Sequence, residues 1–315
     1  MGQPPAIVVS GLSKHFGEER AVDALSFEVH PGEIFGLVGP DGAGKTTTLR
    51  MLAGVLAVDS GDASVAGYDV VQNPEGAKHH LSYMSQRFGL YEDLTVDENL
   101  RFYADLFGVR RKQRELRSRE LLAAAGLSEF RERLAGNLSG GMKQKLGLVC
   151  SLIHTPQVIL LDEPTNGVDP VSRRDFWRIL YSLVSEGVAI LTSTSYLDEA
   201  ERCHRVGLIY RGHMLYCDTP ARLKEKFPGE ILAAFSTQPG RVREVLAQAP
   251  GVSSALLVGD RVHLFVDRVA LRLADFQARL EAAQVPYDSI QAVPPTMEDL
   301  FVSAVAGEQA EAKAP

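Results

Sequence analysis

Gly39, Gly44, Lys45 and Thr46 stand in the run GPDGAGKTT from Gly39 to Thr47, and their types and spacing are those of a loop that cradles phosphates. Glycine lets the backbone curl until successive N–H groups point into one concavity, and a helix that starts there adds positive potential. Pro40, Asp41, Gly42, Ala43 and Thr47 complete the curl. Lys45 can reach the β- and γ-phosphates of a nucleoside triphosphate. The Thr46 hydroxyl can complete a Mg²⁺ shell otherwise built from phosphate oxygens and water. A second candidate group is the adjacent carboxylates Asp162 and Glu163. Asp162 can serve Mg²⁺ while Glu163 orients or deprotonates an attacking water. A third is Leu138-Ser139-Gly140-Gly141, a Ser-Gly-Gly turn entering a helix, which offers a hydroxyl and bare N–H groups as a second anion site.

These groups act together only if the chain delivers them to one place. Ile34–Val38 has the length and residues of a buried strand, and Thr48–Ala53 reads as the helix that follows the loop. Val158–Leu161 is four apolar residues long, as a strand buried in a parallel sheet would be, and it ends at Asp162-Glu163. Ligands of open α/β sheets lie off the carboxyl ends of the strands, which predicts that the carboxylate pair arrives beside the phosphate loop. Val188–Leu191 is a further buried strand and brings Thr192-Ser193-Thr194-Ser195 to the same edge, while Ser82–Gln86 reads as another strand end. Ahead of the loop, IVVSGLSKHF and LSFEVH flank the turn Gly17–Arg20 as strands of an antiparallel flap. Phe16 closes the first run, where an aromatic either stacks on a base or packs in the core.

Between these strands the pattern becomes helical. Thr95 and Glu98 form a capping box ahead of Leu100, Tyr103, Ala104 and Phe107, which predicts a helical subdomain over about 90–155. Its basic run, Arg110 to Arg119, is interrupted by Glu115, so a solvated helix face is favoured over a lipid or nucleic-acid contact. Beyond about Pro220 the order reads β-α-β-β-α-β with a hairpin across Gly259-Asp260, then a short closing helix at PPTMEDLFVSAV and a frayed tail over 307–315. The expected division is a nucleotide-binding domain over 1–225 and a small α+β domain over 228–306.

At 315 residues the chain can build one large domain and one small one. Cys150, Cys203 and Cys217 form no C-x-x-C pair, so neither a disulfide framework nor a zinc site is expected. The start MGQPPAIVVS has neither the basic opening nor the apolar core of a signal peptide, and no apolar run reaches the roughly 18 residues of a membrane span. The expectation is a soluble protein that reaches a membrane only through a partner. A net charge of −7 argues against broad binding to a nucleic-acid backbone.

With LSGGMKQKL between the phosphate loop and the Asp-Glu strand, the chain resembles the ATP-binding subunits of ABC transporters from about Ile7 to Leu223. The resemblance implies a P-loop NTPase of ABC type, a mixed α/β sheet core with an antiparallel β flap and a helical subdomain, carrying a small ferredoxin-like α+β C-terminal domain. It makes Phe16 the adenine-stacking aromatic, Gln86 the residue that touches Mg²⁺ and the attacking water, Leu138–Gln144 the signature and Glu163 the catalytic base. It also makes Asp169 the loop residue that speaks to the opposite subunit. Two such subunits, identical or different, would sandwich two ATP molecules head to tail, with Ser139 and Gly141 of one capping the γ-phosphate held by Lys45 of the other. An integral membrane permease is the implied partner, and the cytoplasmic face of the cell membrane the implied place. The ending PPTMEDLF resembles the drug and antibiotic exporters akin to daunorubicin-resistance ATPases, which implies export.

Two positions depart from the family pattern. Asp41 stands where asparagine is usual, and Ser195 stands where the switch histidine is usual; His204 lies too far along the chain to replace it. The shorter, ringless Ser195 predicts slow hydrolysis. Two other readings compete with a transport motor. One is a soluble ABC protein acting on DNA or ribosomes, yet such proteins usually carry long coiled-coil insertions or a second ATPase domain, and neither is present. The other is a nucleotide-gated subunit that barely turns ATP over.

Overall fold

The computed structural model describes residues 3–86 and 89–311, and the chain divides into two compact units, Met1–Thr219 and Pro220–Pro315. The first unit begins with β1 (Ile7–Phe16), β2 (Glu19–Val29), β3 (Ile34–Val38), α1 (Lys45–Leu52), β4 (Ser60–Val65) and β5 (Tyr68–Asp69). It continues with α2 (Pro74–Lys78), β6 (Leu81–Met84), α3 (Val96–Leu106), α4 (Arg111–Ala124) and α5 (Gly140–Leu152). It closes with β7 (Val158–Asp162), α6 (Pro170–Ser185), β8 (Ala189–Thr194), α7 (Leu197–Ala200), β9 (Arg205–Tyr210) and β10 (His213–Asp218).

Two sheets share a core. The flap is antiparallel in the order β2-β1-β4-β5, and the main sheet runs β10-β9-β3-β8-β7-β6. Strands β9, β3, β8, β7 and β6 are mutually parallel, and only the edge pair β9–β10 is antiparallel. Every residue of β3, β7 and β8 is buried, including the polar ends Asp162 and Thr192–Thr194, as in strands covered on both faces. Phe27 of the flap stacks on Phe35 of β3 with centroids 5.1 Å apart, and Leu37, Leu160 and Leu191 lie in the same cluster. Each leucine so enclosed stabilises the unit by roughly 1.5–3 kcal/mol. The parallel arrangement sends the carboxyl ends of β3, β6, β7 and β8 to one edge.

The helical subdomain is anchored at its start. Thr95 and Glu98 close the reciprocal capping box of α3. Buried Asn99 accepts from Tyr91 N at 2.9 Å and donates to Tyr91 O at 3.0 Å, fixing the loop that leads in. The basic run on α4 is dispersed by ion pairs, Arg114 with Asp105 at 2.8 Å and Arg119 with Glu115 at 3.3 Å, as expected of a solvated face. Strands β9 and β10 were not foreseen. Their hairpin turns on Arg211-Gly212, both at positive φ, the backbone of a two-residue primed turn.

The second unit contains α8 (Pro220–Glu225), β11 (Glu230–Phe235), α9 (Pro239–Leu246), β12 (Val252–Val258), β13 (Arg261–Val266), α10 (Val269–Ala282), β14 (Ser289–Val293) and α11 (Met297–Glu311). Its sheet is antiparallel in the order β12-β13-β11-β14. Alternation along the strands separates two faces. Leu232, Ala234, Val262 and Leu264 pack with Val242, Leu246, Phe276 and Leu280 of α9 and α10. From the other face His263 meets Asp299 of α11, Nδ1 to Oδ1 2.9 Å, and Asp299 Oδ2 accepts from Thr296 N and Oγ1. Helix α8 packs on α11, which is why the units part at Thr219/Pro220 rather than near residue 225. Residues 307–311 are not frayed: α11 passes through Gly307 because Glu308-Gln309-Ala310-Glu311 are strong helix formers. The rest of that stretch, 312–315, lies outside the described residues.

Candidate active site

The loop after β3 leaves the sheet tightly. Gly39 N donates to Thr194 O at 3.3 Å, and a Cβ on Gly39 would collide with Ile209 O. Gly44, at φ 101°, caps α1 and lies so close to Ala21 O that no side chain fits. The loop closes around Lys45, which is 4% exposed and donates from Nζ to Gly39 O at 2.8 Å and Pro40 O at 3.0 Å. The same ammonium pairs with Glu163 Oε1 at 3.2 Å.

The carboxylates at the end of β7 occupy different environments. Asp162 is buried, and its Oδ1 accepts from Thr46 Oγ1 at 2.9 Å and from Ser193 Oγ at 2.8 Å. Tyr83 OH donates to its Oδ2 at 3.3 Å. Burial, and then the Asp162 charge, push the Tyr83 phenol above its ordinary pKa, so it stays a donor. Glu163 is one residue past the strand at φ 47°, the left-handed region in which a non-glycine residue costs about 1–3 kcal/mol. That turn is held by Glu163 N, which donates to Ser193 O at 3.1 Å and to Ser193 Oγ at 3.0 Å. It swings the side chain out of the sheet. Glu163 Oε2 then accepts from Asn166 Nδ2 at 3.3 Å and Gln86 Nε2 at 3.4 Å.

A cavity of about 680 Å³ opens here, lined by the loop from Asp41 to Thr47 together with Phe16, Gln86, Glu163 and Ser195. Phe16 is 52% exposed, so the core alternative for this aromatic does not hold. Leu138, Ser139, Gly140, Gly141 and Asp169 do not line the cavity. Ser139 is exposed and caps α5, accepting from Met142 N at 3.3 Å, and Asp169 caps α6 through Val171 N and Ser172 N. Hydrogen bonds from Ser172 hold the Asp169 carboxyl below its usual pKa. Gly141 is pressed against Ser172, and Asp169 Oδ2 would lie 3.2 Å from any Cβ placed there. His204 lies at the opposite end of β3, where its Nδ1 accepts from Ile34 N at 3.1 Å. Tyr83, Asn166 and Tyr196 escaped the sequence reading, and only the last two line the cavity.

Residues 22–166 match the ABC transporter family. A daunorubicin resistance ATP-binding protein of Streptomyces coeruleorubidus is 35% identical over 302 residues, which cover 94% of each chain. The chain belongs to the ABC transporter ATP-binding proteins. Members of this family hydrolyse ATP. A probable multidrug ABC transporter ATP-binding protein of Escherichia coli is 46% identical over 311 residues, 96% of this chain. The chain spans about half of that relative, 52% of its length. A solved ATP-binding subunit of an ABC transporter superposes with a TM-score of 0.65 at 30% identity, covering 70% of this chain and 93% of the other. Among the described residues no helix is long and apolar enough to cross a membrane.

The site suits the family's ligands. The glycine cradle leaves N–H groups and Lys45 for phosphates. Thr46 and Asp162 put a hydroxyl and one carboxylate side by side, the small oxygen set that Mg²⁺ takes when phosphates and water supply the rest. Among the described residues no cluster of three or more His, Cys, Asp or Glu forms a cage for a metal.

Proposed function

We propose that this chain is the ATP-binding and hydrolysing motor subunit of an ABC exporter, working with a second ATP-binding subunit and a separate membrane permease at the cytoplasmic face of the membrane. The observation that carries it is the convergence of Lys45, Thr46, Glu163 and Gln86 on one cavity, with buried Asp162 hydrogen-bonded to Thr46. Phe16 receives the adenine, and the loop N–H groups with Lys45 receive the phosphates. Thr46, Gln86 and Asp162 would hold Mg²⁺, whose contribution is to neutralise charge on the phosphate oxygens. Lys45 leaves Glu163 as it turns to the phosphates, and the freed Oε1 accepts the proton of the attacking water. Gln86 and Asn166 hold the other oxygen and so aim the base.

Leu138–Gly141 and Asp169 lie outside the cavity, which supports a role in a partner's site rather than in their own. Closure of two subunits over ATP would drive the permease, and hydrolysis would reopen them. The β-α-β-β-α-β order of the second unit supports a ferredoxin-like fold. Lys45→Ala tests the assignment: Mg-ATP affinity should fall and turnover disappear, with an unchanged circular dichroism spectrum. Unaltered ATPase activity refutes it.

A further inference from the structure

We propose that Tyr196 and Asn166 form a hydrogen-bonded strut that positions Glu163, in a site where Ser195 offers no imidazole. The proposal rests on the hydrolytic reading above and assigns two positioning residues to the same reaction.

The need for a strut comes from the backbone. Glu163 lies beyond the last residue of β7 at φ 47°, so the sheet fixes its N–H but not the direction of its carboxylate. Lys45 holds Oε1 only until phosphates claim the ammonium, and Gln86 follows a strand that ends at Met84. Asn166 is placed differently. Its N donates to Glu163 O at 3.2 Å, closing a turn that brings Nδ2 to Glu163 Oε2. The side-chain oxygen of Asn166 then accepts from Tyr196 OH at 3.3 Å, which selects the amide orientation that gives Nδ2 to the base.

Both ends of the strut are tied to one buried carboxylate. Glu199 is 1% exposed and accepts from Thr165 Oγ1, one residue before Asn166, and from Thr194 Oγ1 at 2.9 Å. Thr194 Oγ1 in turn accepts from Tyr196 N at 3.0 Å. The Arg173 guanidinium covers the Tyr196 ring at 4.8 Å, which fixes its plane. Tyr196 and Asn166 both face the cavity. Ser195 exposes its own side chain there, but no ring reaches from it toward the base.

The test uses the full chain with Tyr196→Phe, Asn166→Ala and the double variant, measuring steady-state ATPase and the affinity for a fluorescent ATP analogue. Tyr196→Phe keeps the ring over Arg173 and removes one hydroxyl. Since misplacing a catalytic group by about 1 Å can cost up to about 10²-fold, each single change should lower kcat about tenfold, with KM and nucleotide affinity unchanged. The double variant should be no slower than Asn166→Ala, because the two residues act in series. A Tyr196→Phe enzyme with parental kcat, or single effects that multiply in the double variant, overturns the strut while leaving the ATPase reading in place. A parental chain that turns over no ATP overturns that reading, and the strut with it.

Discussion

Glu163→Gln tests a competition for the Lys45 ammonium. Lys45 Nζ lies 3.2 Å from Glu163 Oε1, and the two side chains are only 4% and 10% exposed. Phosphates must draw the ammonium away from this partner. Hydrogen bonds that involve a charged group contribute roughly 1.5–3 kcal/mol net, with a bond between two opposite charges at the upper end and one in which only Lys45 is charged at the lower end. Replacing the carboxylate by an amide of the same shape therefore removes on the order of 1–1.5 kcal/mol of resistance to nucleotide entry. Mg-ATP should bind about five- to tenfold more tightly. Turnover should fall by about 10²–10⁴, the usual worth of a general base. Fluorescence titration of a labelled ATP and a single-turnover assay on one preparation measure both. Affinity that is unchanged or weaker, alongside lost turnover, would show that the Lys45–Glu163 pair does not oppose binding.

Ser195→His should speed single-turnover hydrolysis with little change in ATP affinity, because residue 195 is exposed at the cavity; an equal or slower rate means that serine is the fitted residue. A chain ending at Thr219 should stay soluble and bind ATP, as the unit Met1–Thr219 holds its own core; loss of binding in a titration would contradict that. His263→Ala should destabilise the second unit by about 3–5 kcal/mol in chemical denaturation, since it strands a buried carboxylate. Burial raises the Asp299 pKa, but hydrogen bonds from His263 and Thr296 outweigh it and hold the carboxyl below its ordinary range. The stability from this depressed pKa is present above the ordinary carboxylate range and disappears as pH falls through the lowered value. A thermal melt that is flat from pH 5 down to pH 2 (about three units across that range) would argue against it.

What the sequence made legible was local. The phosphate loop, the capping box at Thr95 and the apolar run into Asp162 each announce themselves within a few neighbouring residues. The β9–β10 hairpin carried a turn signal in Gly212, but Glu201-Arg202-Cys203-His204 ahead of Arg205 contains none of the turn residues that mark the start of a strand elsewhere. Gly307 looked like a helix end and was overridden by the helix formers that follow. The site partners were hidden for another reason. Thr46 and Asp162 are 116 residues apart, Tyr83 and Asp162 are 79, and Asn166 and Tyr196 are 30. No short-range pattern encodes which hydroxyl or amide will face a carboxylate across strands, so Tyr83 read only as part of a strand end, and Asn166 and Tyr196 drew no functional reading.

The fit of Gly141 against Ser172 changes how a loss of activity at that position can be read. An alanine there would push Ser172 aside within the same chain and disturb the cap that Asp169 places on α6. A dead Gly141 variant is therefore not evidence of a broken intersubunit contact until its companion with a smaller residue 172 has been assayed. Recovery of activity in Gly141→Ala/Ser172→Gly would assign the defect to crowding inside one subunit, and continued inactivity would assign it to the surface proposed to meet a second subunit.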